Sequence, residues 1–259
     1  MLKDHFMKNE IKRKIDVCLT PEMLHLFDLK NKNIVIIDVF RATSAMCVFL
    51  NNGGECIFPI ASLEEANQYK KIIPSSSNFL FAAERNGEVV PGFDYGNSPL
   101  LYDKKDFTAV SLLLTTTNGT RTIEKTKDYE NNMLIASFLN VSSVVRYLES
   151  QVGDVLIVCS GWKGRLCVED VLLAGLLSHK LSLNKIFKEN TDSVFFAKNM
   201  YDLSKKDLFQ FLLSSSYMRR MDLVDDVRYC LQVDTIDIVP IWQNNTSNEI
   251  KSGFFSIKY

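Results

Sequence analysis

The chain has 259 residues, of which 46% are hydrophobic and 24% are charged, as is usual for a soluble globular protein. Thirty basic and thirty-one acidic residues leave a formal net charge of -1, so there is no overall positive field to hold nucleic acid or an anionic membrane. We therefore predict that neither is a partner, and that any anion site is built locally.

The chain also lacks the features of a membrane or secreted protein. Its apolar runs have the length of strands, far short of the roughly 20 residues of a membrane helix, and the polar start MLKDHFMKNEIKRK has no apolar signal region. We predict a cytoplasmic location. Six cysteines are scattered without a C-x-x-C pair, and the chain has only three histidines, which argues against a disulfide framework and against zinc.

Strand-like and helix-like segments alternate along most of the chain. A charged leader over residues 1–14, predicted to be flexible, comes first. Strands are predicted at 15–19, 34–37, 56–60, 79–83, 110–114, 133–137 and 155–158. Helices are predicted after Thr20-Pro21, from the Arg-Ala-Thr-Ser turn to about Leu50, from Ser62 with a capping-box-like pattern, after the TTTNGTR turn, at 141 to about 150, and after CSGWKGRLCVED through His179.

This alternation predicts an α/β fold with three αβα layers, in which helices cover both faces of a mostly parallel or mixed sheet. We expect residues 15–259 to form one domain, with two lobes, the second from about residue 100, as an alternative. The last seventy residues contain helical stretches at 193–201, 205–221 and 225–230 and an apolar piece at 235–242, which we predict as an edge strand. The final residues, GFFSIKY, fit either a hydrophobic core or a subunit interface, so a homodimer is one of the predicted possibilities.

The first candidate site is the segment IVIIDVFRATSAMCV, which begins at Ile34. The apolar residues 34–37 fit a strand buried on both faces. The polar residues Asp38, Arg41, Thr43 and Ser44 follow at its carboxyl end. Open α/β sheets bind ligands at the carboxyl ends of their strands. The alternative is that Asp38 or Thr43 only caps the following helix.

A second strand end carries TTTNGTR, residues 115–121. Its Asn118-Gly119 turn, the hydroxyl of Thr120 and the guanidinium of Arg121 precede a helix, where main-chain N–H groups bind an oxyanion well. The alternative is a capped tight turn whose arginine points to solvent. Arginines follow four strand-like runs, namely Arg41, Arg85, Arg121 and Arg165, and together they would neutralise a small polyanionic substrate.

Carboxylates occupy comparable positions: Asp38, Glu84, Asp94, Glu169 and Asp170. Mg²⁺ takes one or two carboxylates together with water and substrate phosphate oxygens, so this set predicts a magnesium site without histidine or thiolate. The alternative for Glu169-Asp170 is that they are first-turn acids favoured by the helix dipole.

A thiol mechanism is the rival on this scaffold. Cys159 and Arg165 have the C-x5-R spacing of cysteine phosphatases, but Val158 and Leu166 replace the histidine and hydroxyl residues usual in that motif. A buried cysteine is more often a small apolar filler. Trp162 is compatible with substrate stacking, with a lid or with packing.

Several of these motifs together resemble the 2-phosphosulfolactate phosphatase family of coenzyme M biosynthesis. The motifs are DVFRATS from Asp38, AERNG and PGFDYGNSP within 83–99, TTTNGTR, and CSGWKG with ED within 159–170. Their order and spacing agree over about residues 15–177, and DDVRYCLQVD with IVP, within 225–240, resembles the family's carboxyl end. The resemblance implies a magnesium-dependent acid phosphatase of α/β fold that hydrolyses 2-phospho-3-sulfolactate to 3-sulfolactate and phosphate.

Residues and resemblance together give the predicted site. Asp38, Arg41, Glu169 and Asp170 are predicted to be catalytic, and Asp38, Glu84, Glu169 and Asp170 to hold Mg²⁺. The small polyanionic phosphorylated substrate is predicted to contact Thr43, Ser44, Arg85, Asn118, Gly119, Thr120 and Arg121.

Three alternatives remain at this point. They are a cysteine-dependent phosphatase using Cys159 and Arg165, a non-catalytic small-anion-binding protein, and a phosphatase acting on a related phosphorylated hydroxy acid. The sequence also leaves open whether water attacks directly or Asp38 is first phosphorylated.

Overall fold

The computed structural model describes residues 12–74, 77–116, 118–127, 132–244 and 252–258. In this part of the chain, eleven strands join into one sheet in the order β5-β4-β6-β3-β11-β10-β7-β2-β8-β1-β9. The strands are β1 Arg13–Cys18, β2 Lys32–Ile37, β3 Cys56–Pro59, β4 Phe79–Arg85, β5 Glu88–Val89, β6 Ser111–Thr115, β7 Asn132–Ala136, β8 Asp154–Cys159, β9 Phe187–Glu189, β10 Ile238–Asn244 and β11 Ser252–Lys258.

Helices occupy most connections between these strands. The turn after Ser62 shows how the sequence starts one of them, because its Oγ accepts the Glu65 N–H at 3.1 Å, as the capping pattern predicts. Short 3₁₀ helices cover Pro21–Leu26, Pro99–Leu101 and Phe138–Asn140. The α-helices are α1 Ala42–Asn51, α2 Leu63–Ile72, α3 Gly119–Thr126, α4 Val141–Ser150, α5 Val168–Ser182, α6 Asp192–Ser204, α7 Leu208–Leu212, α8 Ser216–Arg220 and α9 Val224–Cys230.

The sheet consists of two parallel blocks joined by an antiparallel hairpin. One block is β4-β6-β3 and the other is β7-β2-β8-β1-β9. The hairpin β10–β11 lies between them, with Ile241 opposite Leu134 of β7 and Phe254 opposite Ile57 of β3. The close approach of β11 to β3 requires glycine at position 253, since a Cβ there would meet Cys56 Sγ and the Ile57 carbonyl oxygen at 2.6 Å.

Helices cover both faces of the sheet, which confirms the predicted α/β fold. Ile34 and Ile36 of β2 belong to a core cluster that includes side chains of α1 and α3. Val35 and Ile37 belong to a second cluster with side chains of α4, α5 and α6. Because all four side chains are fully buried, and each buried aliphatic side chain contributes about 1.5–3 kcal/mol, β2 is firmly anchored beside the site, as is β8, whose residues 155–159 are also fully buried.

The prediction of an edge strand at 235–242 is wrong, because β10 has a hydrogen-bonded neighbour on each side. The ending GFFSIKY falls largely in β11, where Phe254 is fully buried in the core. The predicted helical stretch 205–221 is divided into α7 and α8. Sequence reasoning did not predict β5, β9 or β11 as strands.

The amino-terminal leader lies mostly outside the described residues, since residues 1–11 are not among them, and β1 begins at Arg13 within the predicted leader. None of the described helices has the length and apolar character needed to cross a membrane. The division into lobes and the homodimer stay predictions.

Candidate functional site

A cavity of about 320 Å³ lies where the carboxyl ends of strands from both blocks meet. Asp38 follows β2, Glu84 lies near the end of β4, Thr116 follows β6 and Gly161 comes just after β8, and all four line the cavity. The cavity lining thus includes residues that follow strands of both blocks, although the two blocks run in opposite directions.

Asp38 is held at the start of two helices. Its buried carboxylate accepts main-chain hydrogen bonds from Ala42 and Gly119, the first residues of α1 and α3. Gly119 permits this approach, because a Cβ at that position would lie 3.0 Å from Asp38 Oδ2 and 3.2 Å from the Ala42 Cβ. Asp38 therefore combines the capping role with a position in the cavity.

Thr43 and Ser44, predicted to bind substrate, are buried and shape the turn after β2. The Thr43 Oγ1 donates to the Asp38 carbonyl at 2.9 Å, and the Ser44 Oγ donates to the Val39 carbonyl at 3.0 Å. Neither residue is among those that line the cavity. Their hydroxyls fix the backbone that carries Asp38 and Arg41.

The acidic pair lies in the first turn of α5, and both carboxylates line the cavity. Asp170 accepts the Val39 N–H through Oδ1 and the Gly161 N–H through Oδ2, both at 2.9 Å. It thereby links the turn after β2 to the turn after β8. Glu169 is also buried and accepts from the Cys167 thiol.

Glu84 is positioned by a tight hairpin between β4 and β5. Asn86 and Gly87 have φ values of 56° and 88°, as the two-residue turn of a β-hairpin requires. The Gly87 N–H donates to Glu84 Oε1 at 2.6 Å, and the Asn97 side chain donates to Oε2 at 3.5 Å. Sequence reasoning did not predict this hairpin, although its Asn86-Gly87 pair is a typical hairpin signal.

The concentration of buried acid raises the pKa of three of these carboxyl groups. Burial, then the charges of Asp170 and Glu84, raise the pKa of Asp38 to about 8. Burial, then the charge of Glu169, raise the pKa of Asp170 to about 8, and mainly burial raises that of Glu169 to about 7. Such a set favours a cation among the carboxylates.

Arg41 supplies a buried positive charge on the cavity wall, with 4% of its surface exposed. Its Nη1 pairs with Asp226 Oδ2 at 3.3 Å and its Nη2 donates to the Gly87 carbonyl at 2.8 Å. The Ser98 hydroxyl donates to the other oxygen of Asp226 at 2.5 Å. Asp226, on α9, belongs to the DDVRYCLQVD motif, but sequence reasoning gave it no role.

The other three predicted arginines do not converge on the cavity. Arg121 is exposed and pairs with Glu22 at 3.0 Å, while Arg85 donates to the Glu84 carbonyl at 2.6 Å and is absent from the cavity lining. Arg165 is exposed in the bend beside Trp162. Spacing from a strand end did not determine the direction of these long side chains.

The Asn118-Gly119-Thr120 turn is only partly exposed to the cavity. Asn118 lines it, and the Asn118 Oδ1 accepts the Lys163 N–H at 3.1 Å. Thr120 is buried and donates to the Thr116 carbonyl at 2.9 Å, away from the lining. The turn therefore contributes one amide side chain to the wall and one main-chain N–H to Asp38.

Sequence reasoning missed several residues that line the cavity. Tyr217 and Arg220 come from α8, and Lys163 follows Trp162 in the turn after β8. Burial raises the pKa of Tyr217 well above its usual value, so its hydroxyl stays protonated at neutral pH. The signal available for Lys163 was its place in the strand-end motif CSGWKGR; α8 carries no comparable motif.

The structure places Cys159 unfavourably for nucleophilic chemistry. Burial, followed by the charges of Asp170, Cys18 and Glu169, raises the pKa of its thiol well above the usual range. Cysteine nucleophiles require the opposite shift. Neither Cys159 nor Arg165 is among the residues that line the cavity.

Four buried carboxylates, those of Asp38, Glu84, Glu169 and Asp170, form what we call the acidic floor of the cavity, and their oxygens fit a hard divalent cation. Within the described ranges, no three or more His, Cys, Asp or Glu side chains form a ready-made metal cluster. Mg²⁺ nevertheless needs only one or two protein carboxylates, because water and substrate oxygens complete its shell. The buried carboxylates Asp38, Glu84, Glu169 and Asp170 around one cavity offer those oxygens.

The sequence matches a known protein family over most of its length. Residues 18–245 match the model of the family described as 2-phosphosulpholactate phosphatase. Relatives named "Probable 2-phosphosulfolactate phosphatase" include one from Caldanaerobacter subterraneus subsp. tengcongensis, 35% identical over 84% of this chain and 90% of its own length. A Thermotoga maritima relative is 35% identical over 89% and 96%, and a Clostridium perfringens relative is 32% identical over 93% and 98%.

Proposed function

Since the chain belongs to the 2-phosphosulfolactate phosphatase family, we propose that it is a magnesium-dependent phosphoric monoester hydrolase that converts 2-phospho-3-sulfolactate to 3-sulfolactate and phosphate. The observation that supports this most directly is the cavity itself. Four buried carboxylates and a buried arginine surround a space of about 320 Å³ at the strand ends. A phosphate ester requires both a cation and a place for the developing negative charge.

The four carboxylates are the proposed ligands for magnesium, with Asp38 and one of the α5 acids as the first choice and Glu84 in support. Bound Mg²⁺ would act as a Lewis acid toward the phosphate oxygens. Main-chain N–H groups of Ala42, Gly119, Val39 and Gly161 orient the carboxylates before substrate arrives.

Arg41 is the proposed phosphate clamp. Its guanidinium is fixed by Asp226 and the Gly87 carbonyl, so little side-chain entropy is lost when it binds a phosphate oxygen. Asn118, on the facing turn, is placed to donate an amide hydrogen bond. These groups stabilise the negative charge that develops on the transferred phosphoryl group.

Phosphate release from a panel of phosphorylated hydroxy acids, with magnesium or with EDTA, tests this function. We expect wild-type protein to release phosphate from 2-phosphosulfolactate with magnesium and to stop with EDTA. Asp38→Asn should lower release by about 10²–10³-fold, whereas Asp28→Asn, at an exposed position, should match wild type.

Full activity of Asp38→Asn would contradict the assignment of Asp38 as a catalytic residue and magnesium ligand. Phosphate release that persists in EDTA would contradict the proposed dependence on magnesium. If the protein releases phosphate only from other phosphorylated hydroxy acids, the proposed phosphatase reaction stands and the proposed substrate is wrong. The cytoplasmic location and a homodimer are proposals from the sequence alone.

A further inference from the structure

The outer wall of the cavity carries a second group of polar side chains that the proposed phosphoryl chemistry does not use. We call Trp162, Lys163, Tyr217 and Arg220 the cationic rim. All four line the same cavity as the acidic floor. The floor binds the phosphate end of a substrate, so the rim faces the remainder of the molecule.

Arg220 is held in place but keeps hydrogen-bond donors free. Its guanidinium carbon lies 3.7 Å from the centroid of the Trp162 ring, and its Nε donates to the Ser216 carbonyl at 3.0 Å. Within the described part of the chain, no carboxylate forms an ion pair with it and no hydrogen bond occupies its two terminal nitrogens. An arginine fixed in this way is suited to a planar pair of anionic oxygens.

Tyr217 brings an unpaired hydrogen-bond donor to the same cavity. Its side chain is 6% exposed and packs on Phe40, with ring centroids 4.9 Å apart, yet its hydroxyl has no hydrogen-bond partner among the described residues. A buried hydroxyl without a partner costs about 1–3 kcal/mol. Tyr217 lines the cavity, so a bound oxyanion that displaces the atoms now covering the hydroxyl would satisfy its O–H group.

Two cations share one aromatic ring on this rim. The Lys163 Nζ lies 4.7 Å from the Trp162 centroid, on the ring that Arg220 also contacts. Like charges brought to one ring repel each other unless an anion lies nearby, and Glu169 of the same cavity already attracts Arg220 electrostatically. The described residues place no acidic ion-pair partner beside Lys163 either.

We propose that the cationic rim is the binding subsite for the sulfonate of the substrate, with Arg220 as its main charge partner and Tyr217 as a hydroxyl donor. The inference rests on the proposed function. A sulfonate is a very weak base, so it competes poorly for a hard cation with carboxylate and phosphate oxygens. The acidic floor therefore selects the phosphate end, while the rim takes the oxyanion that the metal binds least well.

Three phosphate esters separate the groups that the rim could recognise. The first is 2-phosphosulfolactate, the second is 2-phospholactate, which lacks the sulfonate, and the third is the phosphate ester of 2-hydroxyethanesulfonate, which lacks the carboxylate. We expect Arg220→Met to lower kcat/KM by about 10- to 100-fold for both sulfonates, as for a lost hydrogen bond to a charged group. For 2-phospholactate the change should be less than about threefold by the same argument.

Two further variants sharpen the measurement. Tyr217→Phe keeps the ring on Phe40 and should reduce kcat/KM for the sulfonates by a smaller factor, about three- to tenfold. Arg219→Met is the matched control, because Arg219 is an exposed neighbour that donates to the Ser214 carbonyl at 2.5 Å and does not line the cavity. It should behave as wild type with all three esters.

Binding of 3-sulfolactate and of lactate, measured by calorimetry, makes the test independent of turnover. Tighter binding of 3-sulfolactate that Arg220→Met removes supports the subsite even if no ester is hydrolysed, and in that case only the proposed function fails. Four results would each overturn the proposal. In kinetics, these are an equal loss of kcat/KM in Arg220→Met for all three esters, a loss only for the two esters that carry a carboxylate, and an equal loss in Arg219→Met. In calorimetry, it is the absence of 3-sulfolactate binding to wild-type protein.

Discussion

The acidic floor and the cationic rim of the cavity are built in different ways. On the floor, main-chain N–H groups fix the carboxylates: Gly119 holds Asp38, Gly161 holds Asp170 and Gly87 holds Glu84. On the rim, exposed side chains of Lys163 and Arg220 rest on the Trp162 ring. Main-chain N–H groups thus orient the floor carboxylates, whereas the rim cations are held by stacking on one ring and, for Arg220, by a hydrogen bond to the Ser216 carbonyl.

The largest expected effect tests whether the floor carries the chemistry. Asp170→Asn removes one charge from the carboxylate set and one acceptor from the bonds to Val39 and Gly161. We expect phosphate release to fall by about 10²–10³-fold. Asp192→Asn, which changes an exposed first-turn acid of α6, is the matched control and should stay within about twofold of wild type. Comparable activity of the two variants would remove the functional distinction between floor and surface.

The metal-free floor should also make stability depend on pH. The pKa values of Asp38 and Asp170 are raised to about 8, above their usual values near 4, so the folded state binds more protons than the unfolded state between these values. This stabilisation is complete at low pH and is lost as pH rises through about 8. We expect the free energy of unfolding in EDTA to fall between pH 5 and pH 8, by about 1.4 kcal/mol per pH unit for each proton difference.

Urea unfolding at a series of pH values measures this slope. Asp38→Asn removes one titrating group and should flatten the curve, and saturating magnesium should raise stability most at high pH because it binds the ionised carboxylates. A metal-free protein that becomes more stable between pH 5 and pH 8 would contradict the predicted sign.

A smaller effect is expected at Asp226, which holds Arg41 on the cavity wall. Asp226→Asn leaves the buried Arg41 without its charge partner, so phosphate release should fall by about 10- to 100-fold and stability should decrease. Asp225→Asn changes the exposed neighbour on the same helix and should do neither. Assays of phosphate release and thermal unfolding on both variants check this. Wild-type activity of Asp226→Asn would show that Arg41 needs no partner.

The smallest effect is expected at Cys159, behind the floor. Burial raises the pKa of its thiol, so it is not poised as a nucleophile. Cys159→Ala should keep phosphate release within about threefold of wild type, with a modest loss of stability from the small cavity it leaves. Abolished turnover in a folded Cys159→Ala protein would restore the thiol mechanism.

The regular part of the fold was predictable from local patterns. A β-branched run such as 34–37 and a helix such as Val141–Ser150 are determined by residues close together in sequence. The place of the hairpin β10–β11 was not, because insertion between two blocks depends on pairing with β3 and β7, whose partners lie over a hundred residues away. An apolar strand looks the same in sequence at an edge or in the middle.

The candidate site divides in the same way. The sequence by itself determined which acids follow strand ends, because Asp38, Glu84 and Glu169-Asp170 are attached to elements with clear periodic patterns, and it identified the motifs of the family. Tertiary structure alone decided which cations reach the cavity: Arg41 does and Arg121 does not. Long side chains select their partners by packing and charge across the fold, as Tyr217 on Phe40 and Arg220 on Trp162 show.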